Sequence, residues 1–389
     1  MESSGKLLRE EWAKQPSEKL EKNKYGQRRI SHDKMILMNS KRSFEVYSPE
    51  DLRAFCEECF IKAGVSEEHA KLIADHLITA SLRGVDSHGI IRIPYYLEGI
   101  RKGYVKPKAE IRILKETPNC ALIDGGMLLG IIVAKKAMEI AIQKAKKSDI
   151  ALVGARNLGH VGMLAYYTKK IAEERLMGLA CANSPARVAP WGGAEKVFGT
   201  NPISIGIPVD DGPPIVIDMA TSAMASFKVR IALRQGRKLP PNTLLDKHGH
   251  PTTEPKDYME GGVLLPFGGH KGYALMLAIE ILASAFIGGP ISKEVIDHSS
   301  TQGGFLVAAI KPTIFRDYEE YTRDLKRIIH EIKNCKAMEG FSEVLLPGEP
   351  EERVYEERRR SGIPIDSEVL RLLKEVAKRL DIPFPKKIS

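Results

Sequence analysis

His88 stands between Ser87 and Gly89 in the stretch VDSHGIIRIPYY, residues 85–96, with Arg92 four residues after it and Tyr96 four after that. The residues around these polar groups are apolar, so the stretch does not read as the wet face of a helix. Charge buried without a partner is expensive, and such a cluster calls for a partner or a ligand. An arginine fork grips a carboxylate through two parallel charge-assisted bonds, a geometry lysine cannot reproduce. Arg92 and Tyr96 share a face if the segment is helical, although Pro94 leaves the start of that helix open.

A second histidine, His160, lies in ARNLGHVGM between Gly159 and Gly162. Imidazole is the one side chain that titrates unaided near neutrality, which makes His160 a candidate general acid or base. The plainer alternative is a histidine on a surface loop. Three further loops follow apolar runs and hold more polar residues than a connector needs. ANSPARVAPWGGAEKVFGTNP is long for a compact domain and ends at Asn201 and Pro202, and loops of that length are usually functional. In IDMATSAMASFKVR, Asp218 closes an apolar run and Thr221 or Ser222 can cap the helix that follows. In PFGGHKGYALMLAIEILASAFIGG, paired glycines permit a tight turn and Lys271 supplies a positive charge as a long helix begins. Free backbone N–H groups at such helix starts bind anions.

The elements that must position these residues can be read from the hydrophobic pattern. Ser48 followed by Pro49 opens an amphipathic helix, and a second helix carries Leu72, Ile73, Leu77 and Ala80 on its apolar face. From Cys120 onward the pattern changes to short apolar runs, CALID, IALVG, MGLACAN, ISIGIP, PIVIDM and later GFLVAAI, separated by helices or glycine-rich loops. Strands alternating with helices predict an α/β domain with helices covering the sheet. Charged helical patterns occupy the C-terminal end, so helices from both termini are expected to fold together.

Composition narrows the class further. A chain of 389 residues with 43% hydrophobic and 28% charged residues reads as a soluble globular protein of about two domains. Residues 1–42 carry +5 of the +9 net charge, so the basic excess belongs to an N-terminal arm rather than to the body. That arm lacks the apolar segment of a secretory signal. No run of eighteen uncharged apolar residues occurs; YALMLAIEILASAFIGG is interrupted by Glu280. Neither a membrane nor nucleic acid is an expected partner. The five cysteines form no disulfide framework, which fits a reducing cytoplasm. Cys56 and Cys59 form a CxxC inside the first helix without a second ligand pair, so packing is favoured over metal, and no metal is expected. There is no H-E-x-x-H, no nucleophile elbow at Ser204, no Walker spacing, and no G-x-G-x-x-G between a strand and a helix.

Taken in order, DSHGIIRIPYYLEGI, NLGHVG, GTNP, IDMATS, GGHKGY and PGE (Pro347 to Glu349) resemble the malate/L-lactate dehydrogenase family that is distinct from the Rossmann-type enzymes. The resemblance runs from about residue 43 to the end. It implies a non-Rossmann three-layer α/β/α cofactor domain with a mixed sheet at 119–314, and a helical substrate and dimerisation domain built from 43–118 and 315–389. It also implies NAD or NADP as cofactor, a homodimer, and hydride transfer between the nicotinamide and C2 of a small 2-hydroxy or 2-oxo acid such as malate, lactate or sulfolactate. By resemblance Ser87, Arg92 and Tyr96 contact substrate, His160 moves the proton with His88 as the other candidate, and Asp218 serves catalysis and cofactor binding. The remaining cofactor set is Ser184, Asn201, Met219, Ala220, Gly268, Gly269, His270, Lys271, Pro347, Gly348 and Glu349.

Two departures bear on function. Pro185 stands where relatives can place a polar substrate contact, which leaves the substrate open, and the N-terminal arm has no counterpart. Lys228, Arg230, Arg234 and Arg237 could meet a 2′-phosphate or form a solvated helix face. A cyclic imine reductase of the piperideine-carboxylate type is the alternative within the family. A basic nucleic-acid-binding protein is the alternative outside it.

Overall fold

Ser48 and Pro49 start the first helix as their types predict. The Ser48 hydroxyl accepts the Asp51 N–H at 3.2 Å, and the proline takes the first helical position, where no N–H is needed. The structure, a computed structural model, describes residues 44–388, which fall within one compact unit; the arm expected at 1–42 lies outside them. Strand β1 (Phe44–Tyr47) leads into α1 (Pro49–Lys62), and α2 (Glu67–Leu82) follows, with Ser66 capping it on His69 N–H at 3.3 Å. Ile73, Leu77 and Ala80 are fully buried, as the periodicity requires, while Leu72 is half-buried. Cys56 and Cys59 pack in the same core as Phe55 and Phe60. Burial pushes both thiols up, Cys59 to about 12, as expected of packing rather than reactive cysteines.

A short 3-10 turn at Asp86–His88 precedes α3 (Arg92–Arg101). Pro94 is its third residue, still within the first turn, where the missing N–H would have had no intrahelical partner. Then come β2 (Arg112–Glu116), β3 (Cys120–Asp124), α4 (Gly130–Ser148), β4 (Ile150–Arg156), α5 (Ala165–Glu173), β5 (Met177–Ala182), β6 (Ile203–Ile207) and β7 (Ile215–Met219). Next are α6 (Ser226–Arg234), β8 (Leu244–Leu245), β9 (Pro251–Thr252), α7 (Pro255–Met259), β10 (Val263–Leu264), α8 (His270–Ala283) and β11 (Gly304–Ile310). The chain closes with α9 (Tyr318–Asn334), α10 (Glu349–Ser361), β12 (Ile363–Asp366) and α11 (Ser367–Leu380).

The main sheet has seven strands in the order β2-β3-β4-β11-β5-β6-β7, and it is mixed. Among adjacent strands only β3 and β4 run parallel, joined by the crossover helix α4; α5 likewise carries the chain from β4 to β5, which run the same way on either side of β11. The β2–β3, β5–β6 and β6–β7 pairs are antiparallel and joined without a crossover helix, while β11, arriving from α8, enters antiparallel to both β4 and β5. All six apolar runs noted in the sequence lie in this sheet, whereas edge strand β2, exposed along its whole length, gave no apolar signal.

Strand alternation sets the layers. Along β11, Phe305, Val307 and Ala309 face the large core under α4 and α5, while Leu306 faces Ile279 and Ile287 beneath α8. Helices therefore cover both faces. Gly130 is where α4 meets the loop after β4: a Cβ there would lie 1.9 Å from the Gly159 carbonyl oxygen, so no side chain fits between the helix start and His160. The termini meet as β1 pairs antiparallel with β12, Phe44 opposite Asp366, and α11 buries Leu370, Leu373 and Val376 against the helices of the N-terminal half. Ion pairs Arg83–Glu352 at 2.6 Å and Arg358–Asp86 at 2.6 Å tie α10 to α2 and the 3-10 turn. Helix α9 instead lies on the β6–β7 turn, with Tyr318 donating to Asp210 at 3.0 Å.

Among the described residues, His270–Ile287 is the one segment long and apolar enough to cross a membrane by length and composition. In this fold it is the sheet-covering helix α8 with a short extension, and its Glu280 is buried.

Candidate functional site

His160 is held from its backbone outward. Its N–H donates to the Ser300 carbonyl at 2.8 Å, and Gly159 N–H donates to Leu128 O at 2.8 Å. Past the histidine, Tyr167 donates to Val161 O at 2.6 Å and Met163 N–H donates to His76 Nε2 at 2.9 Å. His76 is fully buried, and that burial pushes it down to about 3, so it stays a neutral acceptor. Gly162 must be glycine: its φ is +74°, and a Cβ would sit 2.2 Å from the His76 ring.

The ring of His160 is fixed through Nδ1. Gly162 N–H donates to Nδ1 at 3.2 Å, and the Tyr96 hydroxyl lies 2.7 Å from the same nitrogen. A nitrogen that accepts an N–H carries a lone pair, so in the resting neutral ring the proton sits on Nε2. Among the described residues nothing bonds Nε2, and it is not sealed from solvent. The ring therefore offers one nitrogen to the protein and the other to the cleft. Burial, then the Arg92 cation and His88, hold His160 well below the usual histidine range.

Arg92 and His88 complete the cluster. His88 stacks on His160 with ring centroids 5.4 Å apart. Its Nδ1 pairs with Ser87 Oγ at 2.9 Å, and burial, then Arg92, pushes it down to about 3. Arg92 spends only Nε on the protein, donating to Ser87 O at 2.6 Å. Its two terminal nitrogens point to no partner among the described residues and stay accessible, free to grip an anion in two prongs. Burial and the nearby Arg187 and Arg230 cations hold Arg92 below the usual guanidinium range. Arg92, His88 and His160 are half-buried. Ser87, His88, Arg92, Tyr96 and His160 thus gather at one point from three elements.

Asp218 lies elsewhere. Its carboxylate accepts the Ala165 N–H at 2.8 Å at the start of α5, and it bonds neither His160 nor His88. Neighbouring protein that displaces water from the carboxyl, reinforced by Glu351, raises it to about 7 although the residue keeps an exposed surface. Its neighbours on the β6–β7 side are the cofactor candidates. Ser204 pairs with Asp218 across the strands, Thr221 N–H donates to Thr200 O at 2.9 Å, and Thr200 N–H donates to Ser184 Oγ at 3.1 Å. Met219 is exposed, and Val216 N–H donates to Pro347 O at 3.2 Å, bringing Gly348, with φ at +90°, to the same sheet edge. Glu349 is engaged by Lys333 at 2.6 Å and by Leu346 N–H at 2.9 Å.

Gly268 and Gly269 both have positive φ and lead into α8, whose N-terminus has no side-chain cap. Lys271 is exposed in its first turn, and no atom lies within 4 Å of where a Gly268 Cβ would be. Open N–H groups, a cation and a bare turn fit a phosphate-bearing cofactor. His270 packs edge-on to Trp191. Of the four basic residues weighed for a 2′-phosphate, Arg234 pairs with Glu368 at 2.5 Å, and Arg230 is close enough to Arg92 to repel it.

Asn201 does not face this cleft. It is fully buried, its backbone is left-handed at φ 34°, and its Nδ2 donates to Glu280 at 2.8 Å. Glu280, which in the sequence only interrupts an apolar run, is a hub of this region that no motif marks. It also accepts Ser292 N–H at 2.7 Å and Ser292 O–H at 2.6 Å, with Asn183 Nδ2 more distant at 3.4 Å. Every partner is a donor, so the buried group acts purely as an acceptor. The signal was available: a carboxylate inside an apolar helical run requires a donor shell.

A helix-covered mixed sheet, a histidine offering one nitrogen to a cleft beside an accessible arginine, and a phosphate-fitting turn define an oxidoreductase of the hydroxyacid dehydrogenase or related reductase class. The model of the malate/L-lactate dehydrogenase family matches residues 47–374, and the chain belongs to that family. The malate/(S)-sulfolactate dehydrogenase of Methanothermus fervidus is 40% identical over 342 residues, covering 87% of this chain and 98% of that one. The NAD(+) ureidoglycolate dehydrogenase of Escherichia coli O157:H7 is 32% identical over 331 residues, covering 84% and 94%. Among solved structures, sulfolactate dehydrogenase from Methanocaldococcus jannaschii superposes with a TM-score of 0.82 at 40% identity, covering 87% and 98%.

The donor shell of Glu280 makes a direct prediction. Glu280→Gln puts an NH2 group among donors, and the variant is expected to lose about 2–4 kcal/mol of stability in urea denaturation. Wild-type stability in this variant would show that the hub does not hold the loops.

Proposed function

We propose that this enzyme is an NAD(P)-dependent 2-hydroxyacid dehydrogenase, moving a hydride between the nicotinamide ring and C2 of a small 2-hydroxy or 2-oxo acid. The observation that carries the reading is the cluster in which Nε2 of His160 and the terminal nitrogens of Arg92 face one cleft. Arg92 anchors the substrate carboxylate, and His160 lies where the C2 oxygen needs a proton partner. The cofactor, when bound, supplies the hydride. Asp218, Ser184, the Gly268–Lys271 turn and the Pro347–Glu349 segment would hold it.

Tyr96 makes the proton transfer reversible. Its hydroxyl donates to Nδ1 when the neutral ring holds its proton on Nε2, and by rotating it accepts from Nδ1–H in the imidazolium, formed by uptake of a solvent proton, that gives its Nε2 proton to the C2 oxygen in reduction. The neutral Nδ1–H ring left behind is the form whose Nε2 takes the alcohol proton in oxidation. Burial holds the Tyr96 hydroxyl above the usual phenol range, so it keeps its own proton.

We also infer a homodimer. Helix α8 and its extension expose Leu277, Ile281, Leu282 and Phe286, apolar side chains at helical spacing with no cover among the described residues. Sedimentation of the native chain should give twice the monomer mass, and Ile281→Glu should shift it toward one. A monomeric wild type would refute this part.

The catalytic reading is tested with oxaloacetate, pyruvate, sulfopyruvate and a cyclic imino acid, each with NADH and NADPH, read as loss of reduced-cofactor absorbance. At least one 2-oxo acid should turn over, and His160→Ala should lower kcat by about 10²- to 10⁴-fold. Because the free-enzyme imidazole is held below the usual range, it stays neutral through neutrality. kcat/KM for oxidation of the hydroxy acid, which needs the neutral base, should therefore stay flat as pH falls from about 8 to 6.5. Reduction consumes a proton and should slow as pH rises over the same window. Turnover of the imino acid alone would contradict the assignment.

A further inference from the structure

Arg187 is the cation of this region that neither the motifs nor the proton relay uses. It lies in the loop after β5, three residues beyond Ser184 and two beyond Pro185, the position that offers no side-chain hydrogen bond. Its backbone is pinned on both sides: Arg187 N–H donates to Phe198 O at 2.7 Å, and Arg187 O accepts Leu264 N–H at 3.1 Å. The guanidinium therefore projects from a fixed point. Its Nη2 meets Asp297 at 2.5 Å, while its other nitrogens have no partner among the described residues and are not sealed from solvent. Asp297 is itself 71% exposed at its side chain and begins the segment whose Ser300 carbonyl holds His160 N–H.

The position of Arg187 is also electrostatic. Its charge bears on both Arg92 and His160, whereas that of Arg230, exposed on α6, bears on Arg92 alone. Among the described residues Asp297 is the one carboxylate paired with any of Arg92, Arg187 and Arg230. A substrate with one carboxylate would satisfy Arg92 and leave the excess positive charge unbalanced. A substrate with a second anionic group would meet Arg187 as well, and Arg187 can take it in a planar fork while keeping or releasing Asp297.

We propose that Arg187 is a specificity-determining residue that binds the second anionic group, carboxylate or sulfonate, of a dianionic 2-oxo acid, so that the site selects such substrates over monoanionic ones. The proposal rests on the dehydrogenase reading given above. The pinned loop, the exposed counter-ion and the spare donors make Arg187 the group that Pro185 cannot be.

The test is steady-state kinetics of the full chain and its Arg187→Gln and Arg187→Lys variants with oxaloacetate, sulfopyruvate and pyruvate. Arg187→Gln should lower kcat/KM for both dianions by about 10²- to 10³-fold, chiefly through KM, and leave pyruvate within about threefold. Arg187→Lys should recover part of the loss. The dianion that loses more identifies the second anion as carboxylate or sulfonate. Equal losses on pyruvate and on the dianions, or no loss on either dianion, would overturn the role of Arg187 while leaving the dehydrogenase reading intact. A wild-type chain that reduces none of the three would overturn that reading and this proposal together.

Discussion

The hydrogen bond between Tyr96 and His160 is the contact on which the site depends. It joins α3, packed among the helices of the N-terminal half, to the loop that follows β4 of the main sheet. Tyr96 is fully buried, so its hydroxyl has few directions to point. Fixing Nδ1 fixes the ring, and fixing the ring aims Nε2 at the cleft. The β1–β12 pairing, the Arg358–Asp86 ion pair behind His88, and the backbone contact of Gly130 with Gly159 keep the two sides at that spacing. A shift of one ångström at either side would break a bond of 2.7 Å.

Electrostatics in the cleft are one-sided by construction. Arg92 is enclosed without a paired carboxylate, and its field, added to burial, keeps both His88 and His160 neutral. An anionic ligand relieves that repulsion, so ligand binding and proton affinity at His160 are linked. Glu280 is the reverse case: a buried carboxylate paired with no cation among the described residues, held by Ser292 and Asn201 donors. It fastens the loops around Ser184 and Asn201 to α8, the helix whose first turn carries Lys271. Positioning of the cofactor side thus runs through a residue that touches no ligand.

Much of this was legible in the sequence because it rests on local chemistry. Ser48 and Pro49 capped their helix, the apolar runs became strands, and Arg92 and Tyr96 fell on one helical face because Pro94 sat in the first turn. What could not be read was set by contacts distant in sequence. Strand β2 is exposed throughout and carries no pattern. The strand order, with β11 inserted between β4 and β5, follows from pairings more than a hundred residues apart. Asn201 was assigned to the cofactor cleft from its motif, yet its side chain turns inward to Glu280, 79 residues away. The motif gives Asp218 both a catalytic and a cofactor role, and only the fold shows that its carboxylate accepts the N–H of Ala165 at the start of α5.

The central claim is that His160 rests as a neutral ring with its proton on Nε2 and Nδ1 occupied by Tyr96 and Gly162. Nitrogen-15 NMR of the histidine side chains in the ligand-free enzyme, followed against pH and assigned with a His160→Gln variant, tests it directly. The expected spectrum shows a protonated Nε2 and an unprotonated Nδ1, with no imidazolium forming until well below about pH 6.5. An imidazolium near neutral pH, or the proton on Nδ1, would contradict it.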